Sequence, residues 1–236
     1  MSMYGLLGEK LPHSFSPQIH ACLGGYEYRL FEIKPEDVRA FMTERKFDGV
    51  NVTIPYKRTV MPYCTELSDR AKRIGSVNTI LHRADGSLWG HNTDYNGFET
   101  LLDKLGYDPA GKKAVVLGSG GSSVTVRAVL EDRQAGEVTI ISRTGENNYQ
   151  NLHLHRDSSL IVNTTPVGMY PDNGVSPISL CDFPACDAVI DIIYNPAYTK
   201  LLLDAQELGV PYVNGLPMLV SQAKAAADAA ADVPAP

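Results

Sequence analysis

Short apolar runs alternate with helix-like spacing in the first hundred residues of the chain. Runs rich in β-branched and aromatic residues predict strands, and apolar residues three to four positions apart predict helices. We predict strands at residues 4–8, 26–31, 49–53, 76–82 and 87–91, and helices at 17–23, 35–45, 66–74 and 95–105. Asp85-Gly86 between the last two strands predicts a hairpin turn. This order indicates a mostly parallel sheet with one antiparallel excursion.

The second half opens with a strand at residues 113–117, a glycine-rich turn and a helix at 122–133. Further strands are predicted at 137–142, 160–163, 188–192 and 211–213, and an alanine-rich helix at 224–232. A dinucleotide-binding unit usually starts with the first strand of its own domain, yet residues 1–112 precede this strand. We therefore predict an α/β chain of two domains, an N-terminal α/β substrate domain and a C-terminal Rossmann-type domain. The active site is expected in the cleft between them.

The turn after residue 117 has the spacing of a dinucleotide-binding loop. Gly118 permits the tight turn, and Gly120 lets the backbone approach a pyrophosphate bound by the N–H groups of the following helix. The third position of this fingerprint is Ser123 instead of glycine or alanine. The predicted cofactor-binding residues of the loop are Gly118, Ser119, Gly120, Gly121 and Ser122.

The end of the next strand bears on which nicotinamide cofactor is preferred. A site for NAD usually has an acidic residue there to hold the ribose diol, whereas this chain has Ser142-Arg143-Thr144. An arginine can bind a 2′-phosphate through two charge-assisted hydrogen bonds. This pattern favours NADP over NAD, with Ser142, Arg143 and Thr144 as binding residues.

Composition narrows the class of protein. The net charge of −6 argues against a nucleic-acid or anionic-membrane partner. The sequence has no apolar run long enough to span a membrane and no secretory signal pattern. Its four cysteines and six histidines show no metal-binding spacing, so we expect reduced thiols, a cytoplasmic location and no metal.

Four polar segments of the first half contain more hydrogen-bonding side chains than packing requires. They lie at or just beyond predicted strand ends, where open α/β sheets bind their ligands. Serine, threonine and asparagine with one lysine and one aspartate suit a small polyhydroxylated substrate. The alternative is that they are ordinary turn and capping residues. The segments are 13–17, 51–57, 77–79 and 92–94.

These motifs together resemble those of the shikimate dehydrogenase family, and the likeness covers nearly the whole chain. The matching motifs, in order, are Ser14-x-Ser16-Pro17, Asn51-Val-Thr53-x-Pro55-x-Lys57, Ile74-Gly-Ser-Val-Asn78-Thr79, Asn92-Thr-Asp94, Asn163-Thr-Thr165-Pro-x-Gly-Met169, Asp191-x-x-Tyr194-x-Pro196-x-x-Thr199 and Gly215-x-x-Met218-Leu-x-x-Gln222. With the resemblance, we place the substrate domain at 1–97 with C-terminal helices at 219–236 packing back onto it. The NADP-binding domain is then 98–218.

The resemblance implies reversible hydride transfer between NADPH and the ketone of 3-dehydroshikimate, which gives shikimate. It makes Lys57 and Asp94 the catalytic pair. A ketone that receives hydride becomes an alkoxide and needs a proton, which a lysine can supply. The implied substrate-binding residues are Ser14, Ser16, Thr53, Asn78, Asn92, Tyr194 and Gln222, and those near the nicotinamide are Thr165, Met169, Gly215 and Met218.

Two regions depart from the family pattern. The segment 145–162 is short, and Asn147 and Asn148 stand where a further basic residue is common. The usual aromatic-rich final helix is replaced by an alanine-rich tail. Two alternatives stay open: an NAD-linked quinate or quinate/shikimate dehydrogenase, and a non-catalytic NADP-binding homologue. The sequence is compatible with a monomer or a homodimer.

Overall fold

The structure is a computed structural model that describes residues 3–11 and 14–232. Of the predicted polar segments, His13 lies outside the described residues, as do the last four residues of the predicted range 219–236. The described chain divides into two compact units. One holds the chain up to Asp94 together with the segment from Val220 on, and the other holds Tyr95–Leu219.

The first unit is built on a six-stranded sheet. Its strands are β1 (Met3–Gly8), β2 (Glu27–Glu32), β3 (Gly49–Val52), β4 (Glu66–Leu67), β5 (Thr79–His82) and β6 (Leu88–His91). They lie in the order β2-β1-β3-β5-β6-β4, and only β5 is antiparallel to its neighbours. The predicted mostly parallel sheet with one antiparallel excursion is confirmed.

Helices α1 (Ser16–Leu23), α2 (Val38–Glu44) and α3 (Asp69–Ile74) connect these strands. The predicted helix at 66–74 is wrong in its first part. Glu66 and Leu67 form β4, which pairs with β6, and the hydroxyl of Ser68 caps α3 by accepting a hydrogen bond from the Ala71 N–H at 3.1 Å. The predicted strand at 76–82 begins only at Thr79, although the backbone of Asn78 still bonds to Val52 and His91 on the two sides.

The second unit contains a five-stranded, fully parallel sheet. Its strands are β7 (Lys113–Leu117), β8 (Glu137–Ile141), β9 (Leu160–Asn163), β10 (Ala188–Asp191) and β11 (Tyr212–Val213), in the order β11-β10-β9-β7-β8. Helix α4 (Asp94–Leu105) precedes β7, and α5 (Gly121–Asp132) connects β7 to β8. This is the predicted Rossmann-type arrangement, with β8 at one edge of the described sheet.

Two helices near the C-terminus differ from the sequence predictions. Helix α6 (Lys200–Glu207) was not predicted, although its sequence contains the signals of a helix. The Thr199 hydroxyl caps it by accepting a hydrogen bond from the Leu202 N–H at 3.4 Å, and Leu201, Leu202 and Ala205 are buried. Helix α7 (Leu216–Ala231) is a single helix that starts before the predicted 224–232.

Each sheet has its own apolar core. In the first unit, Leu7, Val50, Val52 and Ile80 pack with Met42 of α2. In the second, buried strand residues pack against Leu201, Leu202 and Ala205 of α6. No helix in the described part of the chain has the length and hydropathy needed to cross a membrane. Because the strands pack into these cores, their ends are held in place. The polar loops extend from those ends.

Candidate functional site

The predicted substrate-binding loops of the first unit lie along one edge of its sheet, the edge formed by strand ends. Parallel strands β1, β3 and β6 all end there, so the segments that follow them share this edge. Strand β5 runs in the opposite direction and begins at the same edge, because Thr79 pairs with Asn51 and with His91. Asn78 therefore lies at the amino end of its strand, whereas the other segments lie at carboxyl ends.

Lys57 and Asp94 form a buried ion pair at this edge. The Nζ atom of Lys57 lies 2.6 Å from Oδ2 of Asp94, and the two side chains are 11% and 8% exposed. Lys57 lies in the turn after β3, where its carbonyl accepts a hydrogen bond from the Val77 N–H at 2.9 Å. Asp94 is the first residue of α4. The structure thus brings the two predicted catalytic residues into direct contact.

Asn78 is the centre of a buried hydrogen-bond network beside this pair. Its amide nitrogen donates to Thr93 Oγ1 at 3.0 Å and to Gln222 Oε1 at 3.3 Å. Its amide oxygen accepts from the backbone N–H of Thr93 at 2.7 Å and from the hydroxyl of Thr79 at 3.2 Å. Asn78 thereby connects the segment before Asp94 to Gln222 of α7. A substrate hydroxyl on Asn78 would have to replace one of these partners.

The other predicted substrate residues of this unit occupy the same set of loops. Ser16 is buried at the start of α1, and its backbone N–H donates to Ser14 Oγ at 3.3 Å. Thr53 follows β3 and its N–H donates to the carbonyl of Leu7 at 2.9 Å. Asn92 is fully buried, and its amide donates to the carbonyl of Ser76 at 3.0 Å. Each of these hydrogen bonds involves a backbone group, and together they hold the loops in place.

Tyr194 is the one predicted substrate residue in the second unit. It is half-buried and follows β10 by three positions. Asp191, the last residue of that strand, accepts hydrogen bonds from the neighbouring loops.

The glycine-rich turn of the second unit has the geometry that the dinucleotide fingerprint requires. Gly118 has a φ of 103°, and a Cβ there would lie 2.9 Å from Thr164 Oγ1. Around Gly120, at the N-terminus of α5, a Cβ would meet no heavy atom within 4 Å, so space for a ligand is open. Ser119 and Gly120 are exposed, and Gly121 and Ser122 are half-buried. An accessible helix N-terminus of this kind, with glycine at its first positions, is a common binding site for phosphate groups in proteins.

Ser123 replaces the third glycine of the fingerprint without disturbing the turn. It is fully buried, and its hydroxyl donates to the carbonyl of Gly120 at 2.7 Å. The hydroxyl therefore satisfies the carbonyl of the residue that precedes α5.

Thr165 and the carboxyl ends of β9 and β10 belong to a second buried network. Thr165 Oγ1 donates to Asn163 Oδ1 at 2.7 Å, and Asn163 Nδ2 donates to Asp191 Oδ1 at 3.1 Å. Asp191 also accepts from the Thr199 hydroxyl at 2.7 Å and from the Ile193 N–H at 3.0 Å. Burial raises the pKa of Asp191 to about 6, and these hydrogen bonds offset part of the effect.

Gly215 has a packing reason to be glycine. A Cβ at this position would lie 1.9 Å from the carbonyl oxygen of Ile192, so the backbone before α7 passes directly against the loop after β10. Met218 is buried in the first turns of α7, and Met169 is 45% exposed in the loop after β9. The residues predicted near the nicotinamide thus all follow carboxyl ends of strands of this sheet.

Arg143 lies at the exposed end of β8, the position predicted for the 2′-phosphate contact. Among the described residues it has no carboxylate partner, and Tyr149 is close enough for the guanidinium to offset part of the increase in that phenol's pKa caused by burial. Ser142 donates a hydrogen bond to the carbonyl of Thr144 and so closes the turn around Arg143. The guanidinium is free to bind an anion.

Comparisons with known proteins point to one family. The family model of the shikimate dehydrogenase substrate-binding domain matches residues 6–80. The shikimate dehydrogenase (NADP(+)) of Clostridium perfringens is 38% identical to this chain, over 94% of this chain and 89% of its own length. This chain belongs to the shikimate dehydrogenase family. Its fold is also that of a solved shikimate dehydrogenase from Peptoclostridium difficile, with a TM-score of 0.93 at 38% identity, covering 99% of this chain and 93% of that one.

A solved shikimate 5-dehydrogenase from Thermus thermophilus, in complex with NADP(H) and shikimate, is similar as well. Its TM-score is 0.89 at 31% identity, and the match covers 100% of this chain and 95% of that one. Within the short segment 145–162, two asparagines make hydrogen bonds inside the loop. Asn148 and Asn151 there bond to the carbonyls of Gly145 and Glu146 at 2.9 and 2.7 Å. These asparagines stabilise the loop itself.

Sequence reasoning did not assign a role to three residues that contact one another beside the predicted substrate-binding residues. The amide of Asn51 donates to Thr79 Oγ1 at 3.1 Å and its oxygen accepts from the Tyr28 hydroxyl at 2.9 Å. Asn51 and Thr79 stood in recognised motifs, but nothing in the sequence pointed from Tyr28 to them. They extend the network of Asn78 into the sheet, so the predicted binding residues rest on a buried polar support.

Proposed function

We propose that this chain reduces 3-dehydroshikimate to shikimate with NADPH and also catalyses the reverse oxidation with NADP⁺. The observation that supports this most directly is the buried Lys57–Asp94 pair, with its 2.6 Å contact, at the edge of the sheet that the substrate-domain family model covers. Membership of the shikimate dehydrogenase family adds the substrate and cofactor.

The residues of the second unit fit NADP. Open space around Gly120, exposed N–H groups at the start of α5 and the unpaired guanidinium of Arg143 suit a pyrophosphate and a 2′-phosphate. NADPH, when bound, supplies the hydride that adds to the ketone carbon. Gly118, Gly120 and Arg143 would hold it by its phosphates, and Thr165, Met169, Gly215 and Met218 are proposed to lie around its nicotinamide half.

Lys57 supplies the proton. As the carbonyl oxygen gains negative charge, the Lys57 ammonium donates a proton to it, and the resulting amine takes a proton back from solvent. The Asp94 carboxylate fixes the direction of the ammonium through its hydrogen bond. In the reverse reaction the neutral amine accepts the hydroxyl proton, because both directions share one transition state.

The remaining polar groups would select the substrate. Ser14, Ser16 and Tyr194 are proposed to donate hydrogen bonds to its carboxylate. Hydroxyls of the ring are proposed to meet Thr53, Asn78, Asn92 and Gln222. A substrate that lacks one hydroxyl leaves a buried partner unsatisfied, which costs about 1–3 kcal/mol and so disfavours it.

A spectrophotometric assay tests this function. Purified protein is mixed with shikimate or quinate and with NADP⁺ or NAD⁺, and formation of the reduced nicotinamide is followed. We expect shikimate with NADP⁺ to give the highest kcat/KM. Faster turnover of quinate with NAD⁺ would establish the quinate alternative, and tight NADP⁺ binding without turnover of any pair would establish a non-catalytic homologue.

Location and assembly complete the proposal. We place the enzyme in the cytoplasm, in keeping with four cysteines that form no disulfide with one another in the structure. We propose a monomer or a homodimer, and light scattering after size-exclusion chromatography distinguishes the two.

A further inference from the structure

A buried carboxylate of the second unit takes no part in the proposed chemistry. Asp191 is the last residue of β10 and is 0% exposed. No basic side chain in the described part of the chain forms an ion pair with it. A carboxylate in such a place loses its hydration without gaining a counter-ion, which costs free energy. The hydrogen bonds that it accepts are therefore the reason to look for a role.

The first of these hydrogen bonds controls the loop after β9. Oδ1 of Asp191 accepts from Asn163 Nδ2 at 3.1 Å. Because an ionised carboxylate only accepts, the Asn163 amide must turn its nitrogen towards Asp191 and its oxygen away. That oxygen accepts from the Thr165 N–H at 3.0 Å and from the Thr165 hydroxyl at 2.7 Å. Asp191 thus sets, through one amide, the direction in which the Thr165 hydroxyl donates.

The other two hydrogen bonds hold the loop after β10. Oδ1 of Asp191 also accepts from the Ile193 N–H at 3.0 Å, and Oδ2 accepts from the Thr199 hydroxyl at 2.7 Å. The two donors lie on either side of Tyr194 in the chain. The carbonyl of Ile193 accepts from the Gly215 N–H at 2.9 Å, so the segment that leads from β11 into α7 is attached to the same loop.

The loops after β9 and β10 also contact each other directly, since the Tyr170 N–H donates to the carbonyl of Asn195 at 3.0 Å. The segments after β9, β10 and β11 therefore form one hydrogen-bonded group with Asp191 at its buried side. These three segments contain every residue of the second unit that we proposed for the nicotinamide and for the substrate carboxylate, namely Thr165, Met169, Tyr194, Gly215 and Met218.

We propose that Asp191 is a positioning residue, whose carboxylate holds the loops of Thr165 and Tyr194 in the arrangement that hydride transfer requires. This inference rests on the proposed function. Hydride transfer needs its reacting atoms about 3–3.5 Å apart, and a misplacement of about 1 Å can cost roughly 10²-fold in rate. The residues proposed to hold the phosphates of NADP, Gly118, Gly120 and Arg143, lie outside the three loops. Loss of the carboxylate should therefore reduce kcat and leave NADP⁺ affinity almost unchanged.

Two variants of Asp191 separate its hydrogen bonds from its charge. Asp191→Ala removes all three acceptor contacts, and we expect kcat for shikimate oxidation to fall roughly 10- to 100-fold with the Kd of NADP⁺ within about 2-fold. Asp191→Asn can restore the group, because its amide oxygen accepts from Asn163 and Ile193 and its amide nitrogen donates to the Thr199 oxygen. Its kcat should stay within about 3-fold of the wild-type value.

Val189→Ala is the control for a loss of stability alone. Val189 lies in the same strand and is fully buried in the apolar core. The variant leaves a cavity and lowers stability, yet it should keep kcat within about 2-fold in the folded protein. Wild-type kcat in Asp191→Ala would overturn the proposal, as would an equal loss of kcat in Asp191→Asn or in Val189→Ala.

Hydrogen exchange followed by mass spectrometry gives a second readout that needs neither substrate nor cofactor. Asp191→Ala should speed amide exchange in segments 164–169 and 192–199 about 10-fold or more, whereas Asp191→Asn and Val189→Ala should not. Unchanged exchange in Asp191→Ala would overturn the proposal even if the enzyme is active. A wild-type protein that oxidises no substrate would instead overturn the proposed function and this inference with it, so the two failures are distinguishable.

Discussion

The ammonium nitrogen of Lys57 is 2.6 Å from a carboxylate oxygen of Asp94, and about nine-tenths of each side chain is buried. An exposed pair of this kind contributes at most about 1 kcal/mol to stability. A buried pair must first lose its hydration, so its net contribution is close to that of apolar residues. Stability alone gives little reason to keep these charges here. The proposed proton transfer to the substrate would give a direct reason.

Replacing the lysine should affect turnover much more than binding. We expect Lys57→Ala to reduce kcat by roughly 10²- to 10⁴-fold, because the proton donor is lost while the groups that hold the substrate remain. Steady-state kinetics with shikimate and NADP⁺ measure the change, and KM should stay within a few-fold. Lys72→Ala is the control, because Lys72 is an exposed lysine that pairs with Asp69 at 3.5 Å. Turnover of Lys57→Ala at the wild-type rate would exclude Lys57 from the reaction.

Removing only one charge of the pair should destabilise the fold. In Asp94→Asn, the buried ammonium of Lys57 loses its counter-ion, and we expect unfolding free energy to fall by about 3 kcal/mol. Urea denaturation followed by circular dichroism measures this value. The double variant Lys57→Met, Asp94→Asn buries no charge at this position and should recover most of the loss. The single variant Lys57→Met is measured as well, and a double-variant loss equal to the sum of the Lys57→Met and Asp94→Asn losses would show that the two charges do not interact.

Arg143 should distinguish the two nicotinamide cofactors. Arg143→Ala removes the guanidinium proposed to bind the 2′-phosphate, so NADPH affinity should fall about tenfold or more while NADH affinity changes little. Fluorescence titration with each cofactor gives the two dissociation constants. Arg156→Ala serves as the control, because Arg156 is an exposed arginine of the same unit that pairs with Asp182. Equal losses for both cofactors would exclude the phosphate contact.

Adding a methyl group should reduce stability at Gly215 and cofactor affinity at Gly120. Gly215→Ala places Cβ 1.9 Å from the Ile192 carbonyl oxygen, so we expect a loss of about 3 kcal/mol in unfolding free energy. Gly120→Ala meets no heavy atom within 4 Å and should change stability by less than about 1 kcal/mol. Its methyl group stands where a pyrophosphate would approach, so NADPH should bind about tenfold more weakly. Urea denaturation measures the stability of both variants, and titration measures their NADPH affinity. An unchanged NADPH affinity in Gly120→Ala would show that the open space at Gly120 holds no ligand.

Asp191 should make the protein less stable as pH rises. Its folded-state pKa of about 6 lies above the value of 3.8 for an unperturbed aspartate, so the folded state binds its proton more tightly. Its contribution is therefore fully favourable below about pH 4 and is lost as the pH rises through 6, by roughly 3 kcal/mol. Asp191→Asn should lack this dependence. Unfolding free energies of both proteins between pH 4 and 8 give the difference.

The comparison with Asp191→Asn is needed because two histidines change the pH dependence of stability in the opposite direction. Burial lowers the pKa of His20 and of His91 to about 4. A histidine with a lowered folded-state pKa costs stability as pH falls from about 6.5 to 4. Their effect is the same in both proteins and cancels in the difference. A difference that does not vary across pH 6 would contradict the raised pKa of Asp191.

Local signals in the sequence predicted most strands and the glycine-rich turn correctly. Strand β7 matches the prediction at both ends, because an apolar run ends at Gly118. Gly86, with a φ of 80°, forms the predicted hairpin turn, where Ser87 N–H donates to Asp85 Oδ1 at 2.9 Å. These features depend on neighbouring residues alone, so sequence reasoning can reach them.

The errors arose where distant residues decide the structure. Strand β4 exists because Glu66 and Leu67 pair with β6, more than twenty residues away, and the helix-like spacing around them gave no sign of it. The roles of Asn51 and Tyr28 likewise depend on side chains brought together by the sheet register. Helix α6 is a different case, since Thr199 and the leucines after it carried a readable helix signal that was overlooked.

The hydrogen bonds that run from Tyr28 through Asn51, Thr79 and Asn78 to Gln222 have a consequence for protein engineering. Each member fixes the orientation of the next, so altering Gln222 alone leaves an amide hydrogen of Asn78 unmatched and disturbs residues several steps away. A catalyst redesigned to accept a different polyol would have to exchange several of these side chains at once. Single-site libraries at this edge of the sheet should yield few improved variants, and paired libraries should yield more.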